Sequence, residues 1–160
     1  MINIFTIGVY GLTKDDFFQK LINSNIDTFC DIRRRRSVRG AKYSFANSKK
    51  LQAQLAKLGI NYVHYIELAP SDDVRRIQYG NDKYQEISQR ERTNLCKAFI
   101  DAYKKEHLTT FNHEHFLKAL GSRAKNVVLF CVEKEPKACH RLLVTEYLQN
   151  IWKDLKVVHL

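Results

Sequence analysis

Short apolar, β-branched runs alternate with segments of helical periodicity along most of this chain, and this alternation restricts the fold more than any other feature. The runs cover residues 2–7, 28–32, 61–66 and 127–132, and a last one covers residues 157–160. Strands that alternate with helices form mainly parallel sheets with helices on both faces. We therefore predict an α/β fold, a single three-layer domain over residues 1–160 with about five mainly parallel strands flanked by helices.

Several of the predicted helices have recognisable ends. Thr13 stands before two acids in the pattern of a helix N-cap, and Gly59 and Gly121 follow helical runs at positions typical of C-terminal stops. Residues 69–83 are polar with little apolar periodicity, so we predict a long surface loop or lid there. The spacing of apolar residues over 84–105 predicts one long helix.

The net charge of +10 is concentrated in one part of the chain. Residues 32–66 contain nine lysines or arginines and no aspartate or glutamate. Such a field attracts phosphates, nucleotides or nucleic acid, and a solvated surface that maintains solubility is the alternative interpretation. A nucleotide or a nucleic acid is therefore the predicted class of partner.

The remaining composition argues against a membrane or secreted protein. No stretch approaches the roughly 20 apolar residues of a membrane-spanning helix, and the first residues lack the basic region of a signal peptide. The four cysteines, at positions 30, 96, 131 and 139, are too few and too unevenly spaced for a secreted disulfide scaffold. We expect a cytoplasmic protein with reduced thiols and no membrane partner.

Polar and reactive residues cluster where the predicted strands end, which is where parallel sheets bind ligands. Asp31 and Arg33 follow the second strand and form either a structural ion pair or a site in which the acid carries a proton and the arginine holds a phosphate. His64, on the third strand, is either a hydrogen-bonded core residue or part of the anion site. Glu67 either neutralises an arginine or supplies a second carboxylate for acid and base chemistry.

The segment 131–141 carries the densest set of reactive side chains, and it leads from a buried strand into a helix. Three interpretations remain open. Cys139 is a nucleophilic or redox thiol with Cys131 as its partner, or Cys131, Cys139 and His140 hold a metal, with His64 or His159 as a further ligand. In the third, both cysteines pack as small apolar groups while Glu133, His140 and Arg141 face the cleft.

These motifs resemble those of a known family, the proteins of domain of unknown function 488, which are compact α/β domains. The matching segments are Thr6-Ile7-Gly8, Asp31-Ile32-Arg33, Ser37, Tyr62-x-His64, Glu67-Leu68, Cys131-x-Glu133-x-x-Pro136-x-x-Cys139-His140-Arg141 and His159. The chain departs from the family pattern at Val9 and Tyr10, where His-Ser is common, and at Ala69, where a glycine is common. The resemblance implies the fold and a shared pocket at the strand ends, and it implies no reaction.

We predict from these observations an enzyme that acts on a nucleotide or nucleic-acid substrate by general acid and base chemistry. The predicted catalytic residues are Glu133, Asp31, Glu67 and His140, and the predicted anion-binding residues are Arg33, Arg36, Ser37, His64 and Arg141. A non-catalytic nucleic-acid or anion-binding domain is the first alternative. The second is a thiol, sulfur-transfer or metal-dependent enzyme that uses Cys131 and Cys139. No cofactor is predicted, and the metal interpretation above is left open.

Overall fold

The computed structural model describes residues 2–160, which form five strands and six α-helices. The strands are β1 (Asn3–Ile7), β2 (Thr28–Asp31), β3 (Asn61–His64), β4 (Asn126–Phe130) and β5 (Val157–His159). The helices are α1 (Lys14–Asn23), α2 (Ser48–Lys57), α3 (Asp72–Tyr84), α4 (Lys97–Tyr103), α5 (His113–Leu120) and α6 (His140–Ile151). Every helix among these residues is too short or too polar to cross a lipid bilayer.

The strands form one sheet in the order β3-β2-β4-β1-β5, and every pair of neighbours is parallel. The predicted α/β fold with a parallel sheet of five strands is confirmed. The register places Phe130 of β4 beside both Asp31 of β2 and Ile7 of β1. The carboxyl ends of these three central strands therefore lie side by side at one edge of the sheet.

Two apolar cores cover the two faces of the sheet and make the fold three layers deep. Side chains alternate in direction along a strand, so Val127 and Leu129 of β4 enter one core while Val128 and Phe130 enter the other. The first core contains buried residues of α3 to α6, and the second contains those of α1 and α2. A strand buried on both faces has the continuous apolar run that the sequence shows here.

Residues 69–83 do not form the predicted loop, because most of this segment is helix α3. The Ser71 side chain accepts a hydrogen bond from the backbone N–H of Val74 and caps the helix. The inner face of α3 carries Val74, Gln78 and Asp82 at a spacing of four residues. Two of these three buried residues are polar, so a search for apolar periodicity misses the helix.

The prediction of one long helix over 84–105 is also wrong. Tyr84 is the last residue of α3, and residues 85–96 are irregular. The helix Lys97–Tyr103 follows and continues into one turn of π-helix, Lys104–Leu108. Glu86 takes a left-handed backbone conformation with φ of 56° just after α3, and this ends the helical run. The backbone N–H of Leu95 then bonds to the carbonyl of Lys137 at 3.0 Å, which ties the irregular segment to the loop before α6.

Candidate functional site

A cavity of about 740 Å³ opens beyond the carboxyl ends of β2 and β4. The residues after β2 line one side, α3 and residues 88–95 line another, and the loop between β4 and α6 lines a third. In parallel sheets this edge is the usual place for ligands, because strand ends and helix N-termini converge there. This cavity is therefore the candidate functional site.

The lining of this cavity is strongly basic. Among residues 2–160, seven arginines line it, and Glu133 is the one acidic residue that does. The seven are Arg33, Arg34, Arg35, Arg39, Arg75, Arg90 and Arg92. A concave surface with this imbalance concentrates anions and favours a negatively charged ligand. The basic stretch of the sequence is thus divided between this cavity and the open surface.

Four of these arginines make no ion pair among the residues that the structure describes, namely Arg34, Arg35, Arg39 and Arg90, and neutral groups orient two of the four. The guanidinium of Arg90 lies 5.3 Å from the ring centroids of both Tyr10 and Tyr43. Nε of Arg34 donates to the carbonyl of Pro70 at 3.0 Å. Guanidinium groups that are oriented but not neutralised by a carboxylate are well suited to bind phosphate.

Cys131, Cys139 and His140 form a compact cluster on the wall of the same cavity. One ligand atom from each of the three lies within 4.8 Å of those of the other two, and all three residues are buried. Cys131 follows β4 directly, while Cys139 is the N-cap of α6 and His140 is the first residue of that helix. The Cys139 sulfur accepts a hydrogen bond from the N–H of Arg141 at 3.5 Å and lies 3.7 Å from Nδ1 of His140.

The two thiols of this cluster differ in acidity because their surroundings differ. Burial raises the pKa of Cys139, but the contact with the Cys131 thiol and the charges of His140 and Arg141 more than offset this and lower it to about 6. The contact with Cys139 and burial both raise the pKa of Cys131. A thiolate is the form of cysteine that attacks electrophiles or binds a metal. Cys139 is therefore the more acidic of the two thiols.

Glu133 is held as a carboxylate by three donors. Its Oε1 accepts from Nη2 of Arg92 at 2.9 Å and from Nε2 of Gln89 at 2.8 Å, and its Oε2 accepts from the thiol of Cys131 at 3.0 Å. Burial raises the pKa of Glu133, but the charge of Arg92 and these hydrogen bonds lower it to about 2. At neutral pH this side chain carries no proton that it could donate, so its place in the site is that of an acceptor.

Asp31 and Arg33 form a buried ion pair at the end of β2. Nε and Nη2 of Arg33 donate to the two carboxylate oxygens of Asp31 at 2.9 and 2.7 Å, and the hydroxyl of Tyr62 donates to the same carboxylate at 2.8 Å. The third guanidinium nitrogen, Nη1, is buried without a hydrogen-bond partner. The guanidinium also lies 4.5 Å from the centroid of the Phe130 ring. Arg33 lines the cavity, whereas Asp31 does not.

Arg141 holds the loop between β4 and α6 in place. Its Nη1 donates to the carbonyl of Glu133 at 2.6 Å, and its Nη2 donates to the carbonyl of Lys134 at 2.9 Å. Gly8 allows this loop to approach β1, since a Cβ at that position would lie 1.9 Å from the Glu133 carbonyl oxygen. Arg141 itself is 2% exposed and does not line the cavity.

The other predicted site residues are divided between the cavity and its surroundings. Ser37 lines the cavity, but Arg36 and His64 do not. Nε2 of His64 lies 2.9 Å from the carbonyl oxygen of Arg33, so His64 supports the backbone at the end of β2. Glu67 lies outside the cavity, where its carboxylate accepts a hydrogen bond from Tyr65 at 2.7 Å and is 54% exposed. The structure thus brings Glu133, His140, Arg33, Ser37, Cys131 and Cys139 into one cavity.

Sequence reasoning missed the partners of Glu133. Arg92 bridges Glu133 and Asp82, with its Nη1 2.8 Å from the Asp82 carboxylate, and Gln78 donates to Asp82 at 2.7 Å. The spacing of Val74, Gln78 and Asp82 would have indicated a helix with a polar buried face. No pattern around Arg92 distinguishes it from an exposed arginine, because the residue lies in an irregular segment.

One comparison with known proteins found a match. A family model described as "Domain of unknown function DUF488" matches residues 13–148, which is most of the chain. No curated protein and no solved structure matched the chain. The matched range contains the whole basic segment, the irregular segment with Arg92 and the loop from Cys131 to Arg141.

Proposed function

The chain belongs to the DUF488 family, whose description carries no reaction, and we propose from the cavity itself that the protein is an enzyme acting on a phosphate-bearing substrate. One observation carries the proposal. Among the described residues 2–160, seven arginines and a single carboxylate line the cavity that also contains the cysteine–histidine cluster. The arginines supply affinity for an anion, and the cluster supplies reactive groups next to it.

A nucleotide or a phosphorylated end of a nucleic acid fits this lining. Several guanidinium groups separated around one cavity match a ligand with more than one negative charge. Tyr79 lines the same cavity and is 40% exposed, so its ring is available to contact a base. Glu133 takes no part as a proton donor in this proposal, because its pKa is lowered to about 2. The cysteine–histidine cluster therefore carries the chemistry, and the Glu133 carboxylate supports it.

Binding measurements on surface arginines test the anion site. Arg34→Ala and Arg90→Ala each remove an exposed guanidinium from the cavity lining, and Arg123→Ala removes an exposed one near the amino end of β4 as the matched control. Loss of one charged hydrogen bond costs about 1.5–3 kcal/mol, so we expect affinity for ATP to fall about 10-fold or more in the first two variants. The control should bind within about 2-fold of wild type, since it removes no such bond. Equal effects in all three variants would show a nonspecific field and contradict the proposal.

A non-catalytic nucleic-acid-binding domain is the second candidate, and the distribution of charge outside the cavity favours it. Arg36, Lys42, Lys49 and Lys50 are exposed and do not line the cavity, so a long anionic partner would find further contacts there. The two candidates differ in the effect of Cys139→Ser. For the enzyme, this variant binds nucleotides but forms no product in a chromatographic assay over a nucleotide and oligonucleotide panel. For the binding domain, wild type and variant are alike in both assays.

A further inference from the structure

We propose that Cys131, Cys139 and His140 bind one zinc ion, with a fourth coordination position open to the arginine-lined cavity. This inference rests on the proposed function in one respect, since it assumes that the cavity is the reaction site. Zinc sites with three protein ligands and one open position are the catalytic kind, and a set of two cysteines and one histidine is among the ligand sets that they use.

The distances within the cluster suit a tetrahedral ion. Zn–S bonds of about 2.3 Å and Zn–N bonds of about 2.0–2.1 Å at tetrahedral angles place a sulfur and a nitrogen ligand about 3.6 Å apart. The Cys139 sulfur lies 3.7 Å from Nδ1 of His140. The sulfur of Cys131 completes a triangle whose three corners lie within 4.8 Å of one another. The Cys139–His140 pair is thus at the ligand spacing of a tetrahedral ion, and the Cys131 sulfur lies near enough to join it.

The orientation of the histidine ring also fits a ligand. Nε2 of His140 lies 3.0 Å from the carbonyl oxygen of Ile32, and because a carbonyl only accepts, Nε2 is the nitrogen that carries the hydrogen. Nδ1 is therefore the ring nitrogen presented to Cys139. A backbone carbonyl behind the ring is the usual means by which proteins fix a metal-binding histidine.

The supporting contacts hold the ligands before any ion arrives. Arg141 bonds to the carbonyls of Glu133 and Lys134 and so fixes the loop that separates the two cysteines. Glu133 Oε2 accepts the thiol hydrogen of Cys131 at 3.0 Å, and this proton is released when the sulfur binds zinc as a thiolate. Glu133 is not a member of the three-residue cluster, so the fourth position stays open to the cavity. A zinc ion there would face the anion bound by the arginines, and the fourth position would take water or a substrate oxygen.

Titration of the metal-free protein tests the site directly. We expect wild type to bind one equivalent of Zn²⁺, and to bind Co²⁺ with the near-ultraviolet charge-transfer absorption of cobalt–thiolate bonds. Cys131→Ser, Cys139→Ser and His140→Ala should each weaken Zn²⁺ binding more than about 100-fold. Cys96→Ser is the matched control, because Cys96 lies outside the cluster, and it should bind as wild type does.

A second measurement needs no variant and covers the case in which one fails to fold. Folded wild type is alkylated with and without one equivalent of Zn²⁺, and the modified cysteines are located by mass spectrometry. Protection of Cys131 and Cys139 by zinc supports the site. Rapid alkylation of Cys139 at the same rate with and without zinc, or no stoichiometric binding at micromolar Zn²⁺, overturns it and leaves Cys139 as a free thiolate.

The same preparation separates this inference from the proposed function. ATP binding to zinc-free wild type depends on the arginines alone, so it persists if the zinc site is wrong and the anion site is right. If zinc binds as expected but Arg34→Ala and Arg90→Ala leave ATP affinity unchanged, the anion site fails and the zinc site stands.

Discussion

Gly8→Ala tests whether the close approach of β1 to the loop after β4 is required for the fold. The added Cβ would lie 1.9 Å from the Glu133 carbonyl oxygen, whereas ordinary contact begins at 3.4 Å, so one of the two backbones must move by more than 1 Å. The Glu133 carbonyl accepts from Arg141 at 2.6 Å, and the preceding carbonyl, that of Val132, accepts from Val9 N–H at 3.1 Å. The shift breaks at least the Arg141 bond.

The magnitude follows from these contacts. Loss of a hydrogen bond from a charged group costs about 1.5–3 kcal/mol, and overpacking costs about 1–3 kcal/mol more. We therefore expect Gly8→Ala to lower the free energy of unfolding by about 3–5 kcal/mol, measured by urea denaturation monitored by circular dichroism. Gly80→Ala is the matched control, because its Cβ would meet nothing within 4 Å on the exposed side of α3. Alanine has the higher helix propensity, so we expect this variant to raise the free energy of unfolding by about 0.5–1 kcal/mol. A Gly8→Ala protein within about 0.5 kcal/mol of wild type would refute the reasoning.

Three further predictions concern the core, the buried ion pair and the anion site. Asp31→Asn leaves the buried charge of Arg33 unpaired and should lower the free energy of unfolding, measured by urea denaturation, by about 3–5 kcal/mol. Asp73→Asn breaks an exposed ion pair and should lower it by less than about 1 kcal/mol. Similar losses in the two variants would contradict the structural role of the Asp31–Arg33 pair. Phe17→Ala opens a cavity among four aromatic rings and should cost about 3–5 kcal/mol by the same assay, and a loss under 1 kcal/mol would show that the core does not pack as described. Affinity for ATP, measured by calorimetry, should fall steadily between about 50 and 200 mM salt, and an affinity independent of salt would exclude a site dominated by arginine–phosphate contacts.

The strands and the site loop were accessible from the sequence because both depend on local patterns. Apolar runs such as residues 127–132 predict buried strands, and the position of Asp31 or Cys131 directly after a run predicts a place at the sheet edge. Apolar periodicity does not reveal the helix of residues 72–84, because Gln78 and Asp82 on its inner face are polar and are buried through hydrogen bonds to each other and to Arg92.

Local sequence patterns are enough to establish the class of fold, the strand ends that carry reactive groups and the concentration of positive charge before Glu67. Which of those groups share a cavity depends on the tertiary structure. Arg92 is 41 residues from Glu133 along the chain, yet its guanidinium bonds to the Glu133 carboxylate and keeps it in the form that accepts hydrogen bonds. Asp31, predicted as a possible proton carrier, is one half of a buried ion pair with Arg33. The contact between Arg92 and Glu133 depends on the strand order and on the path of the irregular segment after α3. No local sequence pattern encodes this order or this path, because both depend on contacts between residues that are far apart in the chain.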